Sequence, residues 1–216
     1  MRLLAVVISL SMAACPLSKS YGVSNEPRST SSKARYTAMV EEIKAASPEA
    51  DFLALRMAYV EIDNYSPNFG LKVGETQALF ETMRSGDYSK CVNLAEEILE
   101  YNYTSLNAHF AAYLCNMQQN NIEKARFHEY VLKGLMDSIG ISGDGKSPES
   151  AFVTINTEEL HAFIRLMGFE IKSQSLINKH AKTYEIMGVI DPKTGEEISL
   201  YFDISIQMSK GAKNSK

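Results

Sequence analysis

The spacing of apolar residues predicts helices in the first two thirds of the chain and strands in the last third. From residue 36 to residue 139, apolar positions recur every three or four residues, the period of a helix that buries one face. From Ile198 to Ile206, apolar and polar residues alternate, which is typical of a half-buried strand. A stretch rich in Gly and Ser, ending at Pro148, separates the two regions. We therefore predict an α+β protein with a helical region at 36–139 and a small α+β domain at 148–208.

The elements predicted for the C-terminal domain follow the order β-α-β-β-β. Residues 151–155 are strand-like, and Asn156 followed by Glu159 resembles the capping box that starts a helix. Three strands follow that helix, and a turn at residues 191–195 separates the last two. This order suggests an antiparallel sheet with one helix on its apolar face.

The helical region contains a repeat with an offset of 34 residues. Gly86–Cys91 aligns with Asn120–Ala125, and several apolar positions on either side match at the same offset. This is the length of the tetratricopeptide helix–turn–helix unit. We predict two degenerate tetratricopeptide-like hairpins, and an unrelated pair of helical hairpins is the alternative. Because two copies are fewer than such a stack usually needs, the helices before residue 72 and the domain after residue 146 are expected to cover its ends.

The first residues have the pattern of an export signal. Arg2 precedes the small and apolar run Leu3–Ala14, which is shorter than the roughly 20 residues needed to cross a bilayer. Such a run fits a secretory signal peptide. Met12–Cys15 is similar to the signal of bacterial lipoproteins, in which small residues precede the cysteine that becomes lipidated. We predict a signal peptide at 1–14 and lipidation of Cys15; ordinary signal cleavage without a lipid is the alternative.

Two further segments are predicted to be disordered. Residues 15–35 are rich in serine and poor in large apolar residues, and residues 209–216 have no apolar content to bury. The first would form a tether that lifts the folded part off a membrane, and the second a free tail. The chain is then exported, and is either periplasmic or a membrane-anchored lipoprotein of the cell envelope.

The charge and the cysteine content of the chain bear on its partners and on its crosslinks. The net charge is −4, and the sequence has no basic cluster with interleaved aromatic residues, so a nucleic-acid partner is not expected. Besides Cys15, the chain has two cysteines, Cys91 and Cys115, and both lie in the predicted helical region. In an exported protein they can form a disulfide if their Cα atoms come within about 7 Å. The alternative is a pair of separate buried thiols, which the helical apolar pattern around both residues favours.

The sequence contains no catalytic or metal-binding motif. A zinc-protease helix, a nucleophile elbow, a phosphate-binding loop and zinc-ligand spacing are all missing. His109 and His128 lie on different helices of the second repeat and could approach each other, with Glu129 the candidate for a third metal ligand. Arg56, in a largely apolar helix, is expected to pair with an acidic residue at a packing seam rather than to hold a ligand. We predict no catalytic residue, metal or cofactor.

Three segments are characteristic as a set. They are residues 51–59, the loop at 142–152 and the ending at 191–204. Together they resemble a bacterial family named domain of unknown function 4919, and the resemblance covers most of residues 40–207. It implies a shared architecture and an envelope setting, and it transfers no activity, substrate or catalytic residue.

These patterns favour a non-catalytic binding or scaffold protein of the bacterial cell envelope. Stacked helical hairpins present a concave surface to a protein or peptide partner, and a lipid anchor with a spacer suits such a role. The alternative is a hydrolase-type envelope enzyme with an unrecognised site in the interdomain cleft near residues 140–150. A structural lipoprotein without a ligand is a third hypothesis, and a large exposed apolar patch would count against it.

Overall fold

The computed structural model describes residues 28–67 and 74–214, and within them six helices precede a four-stranded sheet that carries two further helices. The α+β class predicted from the sequence is confirmed. The helices are α1 (Arg28–Lys44), α2 (Phe52–Tyr59), α3 (Glu75–Ser85), α4 (Tyr88–Tyr101), α5 (Leu106–Gln118), α6 (Ile122–Gly140), α7 (Thr157–Leu166) and α8 (Ser205–Asn214), and the strands are β1 (Phe152–Val153), β2 (Glu170–Lys179), β3 (Lys182–Ile190) and β4 (Glu197–Asp203).

Two helical hairpins, α3–α4 and α5–α6, turn in the same way. Gly86 ends α3 with φ of 77°, and Asn120 lies at the end of α5 with φ of 61°, a left-handed conformation that Gly and Asn tolerate best. Asp87 and Asn121 follow as the N-cap residues of α4 and α6. The turns are therefore equivalent at the predicted offset, while a tetratricopeptide type for the hairpins stays a prediction.

A disulfide joins α4 to α5. The Sγ atoms of Cys91 and Cys115 are bonded, and their Cα atoms are 6.3 Å apart, within the range that a disulfide spans. Ala95 and Ala111 are fully buried on the same two helices, and such small side chains let the helix backbones approach closely. The expectation of two separate thiols is therefore wrong, because tertiary packing brings together two cysteines that are 24 residues apart.

We expect the double variant Cys91→Ser/Cys115→Ser to lose about 3 kcal/mol of unfolding free energy, since the crosslink restricts the unfolded chain. The measurement is urea unfolding under oxidising conditions. Wild-type protein with reductant should match the variant without it. Equal unfolding midpoints for oxidised wild type and variant would contradict the prediction.

The sheet is mixed, in the order β1-β4-β3-β2. Strands β2, β3 and β4 are antiparallel, whereas β1 runs parallel to β4, with Phe152 opposite Phe202. The predicted β-α-β-β-β order is confirmed, but the antiparallel expectation is wrong for β1. The reason is the crossover through α7, which carries the chain to the far edge of the sheet. The two hairpins that follow then bring β4 back beside β1 in the same direction.

Helix α7 covers the inner face of this sheet. Phe163 of α7 packs against Phe152 of β1 and Phe202 of β4, with ring centroids 5.1 and 6.4 Å away. At the start of α7, the side chain of Asn156 accepts a hydrogen bond from the Glu159 backbone N–H at 2.8 Å, which confirms the predicted cap. In a complete capping box the Glu159 carboxylate would accept from the Asn156 N–H, but here it accepts from the Ile155 N–H.

Both ends of the described chain are more helical than expected. Residues 28–35, predicted as part of the tether, belong to α1, and residues 209–214, predicted as part of a free tail, belong to α8. The last strand also stops at Asp203, whose carboxylate accepts from the Ser205 N–H. Helix α8 is held by Gln207, which donates to the Thr154 hydroxyl oxygen at 3.0 Å. The predicted signal peptide, Cys15 and the rest of the tether lie outside the described residues.

A buried ion pair links the helical region to the sheet. Arg56 of α2 contacts Glu159 of α7 through two hydrogen bonds of 2.7 and 2.8 Å, and neither side chain is exposed by more than 1%. The guanidinium also donates to the carbonyls of Ser138 in α6 and Val153 in β1. Arg56 thus pairs with an acid at a packing seam, as the sequence predicted. One buried apolar cluster runs through both regions around this pair.

We expect Arg56→Met to lower the unfolding free energy by about 3–5 kcal/mol, because it leaves the Glu159 carboxylate buried without its countercharge. Chemical unfolding of purified protein measures this loss. Lys172→Met is the control, since Lys172 pairs with Glu170 at the exposed end of β2 and such a pair contributes about 1 kcal/mol or less. Similar losses in the two variants would refute the structural role of the buried pair.

Candidate binding site in the helical region

A cavity of about 440 Å³ opens between the end of α1, the last turns of α4 and the first half of α6. We call it the histidine cavity. Its walls are partly aromatic and partly charged, so it can hold a group that is itself polar. The lining residues are Lys44, Glu96, Leu99, Glu100, Tyr103, Phe127 and His128.

Two histidines meet behind this cavity. The Nδ1 atoms of His109 in α5 and His128 in α6 are 3.1 Å apart, which confirms that the two residues approach each other. The Nε2 atom of His109 lies 3.0 Å from the carbonyl oxygen of Tyr103. Glu129 does not complete a metal site: among the described residues, no group of three or more His, Cys, Asp or Glu side chains is placed to hold a metal ion.

Hydrogen bonding assigns the tautomer of each ring. A carbonyl oxygen only accepts, so Nε2 of His109 must carry the proton that it donates to Tyr103. In a neutral ring the Nδ1 of His109 is then an acceptor, and the Nδ1 of His128 must donate to it. The Nε2 of His128 is left without a proton. The histidine cavity is therefore lined by a residue whose remaining ring nitrogen is a hydrogen-bond acceptor.

Burial keeps both rings neutral. Burial, reinforced by the neighbouring His128, lowers the pKa of His109 to about 3. For His128, burial and then the charge of Lys124 lower the pKa to about 4. The fully buried His109 sits edge-on to the Tyr103 ring, with centroids 5.0 Å apart. At neutral pH the His128 ring is therefore uncharged, and its Nε2 atom is free to accept a hydrogen bond.

Tyr103 lines the cavity, and its hydroxyl is buried behind the wall without a partner in the described part of the chain. Only 5% of the residue is exposed. Burial, followed by the charge of Glu41, raises the pKa of Tyr103, so the hydroxyl keeps its proton. The ammonium group of Lys44 lies 5.7 Å from the Tyr103 ring centroid. Tyr103 was not among the residues predicted from the sequence, although an aromatic residue in the short link between α4 and α5 is a signal for such a role.

The two histidines should make the protein less stable in acid. Their folded pKa values lie below the ordinary value of about 6.5, so the unfolded state binds more protons between pH 6.5 and 4. Stability is then fully present above about pH 6.5 and is lost as the pH falls toward 4. We expect each histidine to lower the unfolding free energy by about 2 kcal/mol at pH 5 relative to pH 7, measured by urea unfolding.

The control for this pH dependence is His180→Asn, which changes an exposed histidine in the β2–β3 turn. Its φ of 51° is one that Asn tolerates, and the acid destabilisation should be unchanged. In the wild type, ¹⁵N chemical shifts should show Nε2–H on His109 and Nδ1–H on His128 at pH 7. Ordinary titration of both rings near pH 6.5 would contradict the assignment.

A second depression, which we call the apolar groove, lies between the start of α2 and α6 and has a volume of about 610 Å³. Phe52 packs edge-on against Tyr130, with centroids 5.5 Å apart, and a Cβ atom at Gly134 would come within 2.3 Å of the Phe52 ring. Glycine in the middle of α6 is therefore required, and its unusual place in a helix interior is the signal in the sequence for this close contact. The lining residues are Pro48, Glu49, Ala50, Asp51, Phe52, Leu53, Tyr130, Lys133, Gly134, Asp137, Ser138 and Ile141.

The loop at residues 142–150, beside the predicted alternative enzyme site, has a structural role. Asp144 accepts from the Ser150 hydroxyl at 2.6 Å, and this bond is the largest cause of a lowered pKa for Asp144. A Cβ at Gly143 would lie 2.2 Å from the Ser150 carbonyl oxygen. The Gly145 carbonyl accepts from the Tyr201 N–H at 2.8 Å, which ties the loop to β4. These contacts account for the Gly-Asp-Gly motif without any ligand.

The carboxyl group of Glu158 is the most perturbed acid at the seam between helices and sheet. Burial, followed by the charge of Glu159, raises its pKa to about 8. One carboxyl oxygen accepts from the Asn107 amide, and the other has no partner among the described residues. Arg165 donates to the Asn107 side-chain oxygen and stacks over the Phe80 ring.

The fold and these cavities define an α+β protein whose two helical hairpins are joined to a mixed sheet and carry open, partly apolar cavities. The chain belongs to the family described as domain of unknown function (DUF4919), whose sequence profile matches residues 25–213. The resemblance inferred from the three segments is thereby confirmed. No curated protein and no solved structure was found to match the chain. Within the described ranges, no helix is long and apolar enough to cross a membrane.

Proposed function

We propose that this protein is a non-catalytic binding protein of the bacterial cell envelope, and that its helical region receives a segment of a protein or peptide partner. The observation that carries the proposal is the apolar groove between α2 and α6. Leu53 and Ile141 line the groove and are 40% and 75% exposed, respectively, so two large apolar side chains lie at the surface of one depression.

The composition of the groove suits a protein interface. Its floor is formed by apolar and aromatic side chains, including Phe52 and Tyr130. Its rim carries charges of both signs, with Glu49 and Asp51 at the start of α2 and Lys133 on α6. An apolar centre surrounded by a polar rim is the usual arrangement at sites where proteins bind one another. A segment with an apolar anchor residue would bury Leu53 and Ile141.

We propose that the protein is located at a membrane of the cell envelope. The export signal at 1–14, lipidation of Cys15 and the serine-rich tether are expectations from the sequence, and they fit a binding protein held at a membrane surface. In this proposal the lipid anchors the chain, and the folded part reaches its partner from the end of the tether.

A hydrolase-type envelope enzyme is the second candidate, and the observation that favours it is the carboxyl group of Glu158. With a pKa of about 8 this carboxyl group is protonated at neutral pH and could act as a general acid. It contacts Asn107 of α5 at the seam between helices and sheet, away from the expected cleft near residues 140–150. Hydrolysis of model ester or peptide substrates that disappears in Glu158→Gln would support this candidate over the binding protein.

Site-specific photocrosslinking tests the binding proposal. A photoreactive phenylalanine at position 53 should give a discrete, near-stoichiometric adduct in native envelopes, because Leu53 lies in the apolar groove. Ile141→Asp should abolish that adduct, because it places a charge in the groove where the apolar part of the partner segment would bind. Cys15→Ser should reduce it by releasing the protein from the membrane.

The matched control is the same photoreactive residue at position 176. Leu176 on β2 is also a large exposed apolar residue, at 58%, but it does not line the groove. Identical adducts from positions 53 and 176, or none from position 53, would contradict the proposed function.

A further inference from the structure

We propose that the histidine cavity binds a cationic side chain, Arg or Lys, of the partner segment. This inference rests on the proposed function, since it assumes that a segment lies on the helical region, and it names the chemistry of that segment. The charges, aromatic rings and hydrogen-bond acceptors of the cavity all suit a guanidinium or ammonium group.

Acceptors outnumber cations in the cavity. Glu96 and Glu100 lie one turn apart on α4, and both line the cavity. Glu100 has no ion-pair partner among the described residues, while Glu96 is 3.8 Å from the exposed Lys124. Lys44 is the one cation in the lining, and it is already held by Glu41 at 2.9 Å. The cavity therefore has unpaired negative charge to offer.

The buried polar groups of the wall also lack partners. His128 is 8% exposed, and hydrogen bonding fixes its Nε2 as an acceptor. The Tyr103 hydroxyl is buried without a partner, and its oxygen can accept a hydrogen bond as well as donate one. A guanidinium group, which only donates, can satisfy the His128 acceptor and the carboxylates. A ligand that only accepts hydrogen bonds would leave the His128 nitrogen and the carboxylates unsatisfied.

Aromatic rings in the wall are placed to stabilise a cation. Tyr103 and Phe127 both line the cavity, and the Lys44 ammonium already lies within cation–π distance of the Tyr103 ring. At about 440 Å³ the cavity is near the lower end of the range of ligand pockets, which suits one long side chain.

The cavity and the apolar groove both lie along α6, which favours a partner segment over a free amine. Phe127 in the cavity is three residues before Tyr130 and seven before Gly134 in the groove, so all three fall on one stripe of the helix. Seven residues of helix span about 10 Å, the length of about three extended residues. A basic residue about three positions from an apolar anchor would reach both depressions at once.

The test uses the full chain with Cys15→Ser, so that no lipid forms, and follows binding by NMR titration at low salt. N-acetylarginine amide should shift the signals of Tyr103 and His128, whereas N-acetylcitrulline amide, its neutral isostere, should not. Glu96→Gln/Glu100→Gln should weaken binding of the arginine probe at least tenfold. Glu97→Gln, an exposed change on the same helix outside the cavity, should leave it unchanged.

Several outcomes would overturn the proposal. Equal binding of the citrulline probe, an equal effect of Glu97→Gln, or no binding of the arginine probe would each exclude a cation site. A peptide with Leu three residues from Arg should bind at least tenfold more tightly than the arginine probe, and Ile141→Asp should remove that gain. If the peptide gains nothing, the ligand is a free cation and the partner side chain is excluded.

Failure of this inference is distinguishable from failure of the proposed function. A photocrosslinked partner at position 53 together with no arginine binding would refute the cation site and leave the binding protein intact. Arginine binding without any crosslinked partner would refute the proposed function instead.

Discussion

The buried pair of Arg56 and Glu159 is the constraint on which the rest of the structure depends. Two charges removed from water are tolerated only when every donor and acceptor around them is satisfied. Here the required partners come from α2, α6, β1 and α7, and the pair is fully enclosed. These four elements must assemble together for the charges to be satisfied, so the helical region and the sheet share a single core.

The same physics shapes the histidine cavity. His109 is fully buried, and the Tyr103 carbonyl and His128 satisfy both of its ring nitrogens. Burial makes the charged form of either ring costly, so both rings stay neutral. The hydrogen bond between them then fixes the tautomer of His128, which lines the cavity. A structural need inside the helical region thus sets the hydrogen-bonding character of its surface. The apolar groove has a similar origin, because Gly134 lets the Phe52 ring lie directly on the backbone of α6.

Much of the secondary structure followed from local patterns. The equivalent turns at Gly86 and Asn120, the cap at Asn156 and the β-α-β-β-β order were predictable, because each depends on residues close in sequence. Several features that depend on distant contacts were predicted incorrectly. The parallel pairing of β1 with β4 needs the α7 crossover, and α8 forms where Gln207 reaches back to Thr154. For the candidate site, the sequence suggested the meeting of His109 and His128 but neither the role of Tyr103 nor the groove.

The sequence by itself determined most of the helices and strands between residues 36 and 203, the family of the chain, and the pairing of Arg56 with an acid. Periodicity, caps and turn residues act over a few positions, so they can be identified without coordinates. The tertiary structure alone decided that Glu159 is that acid, that Cys91 and Cys115 are joined, and that His128 presents an acceptor beside Glu96 and Glu100. Each of these results depends on burial and on contacts between separate elements, which the order of residues does not specify.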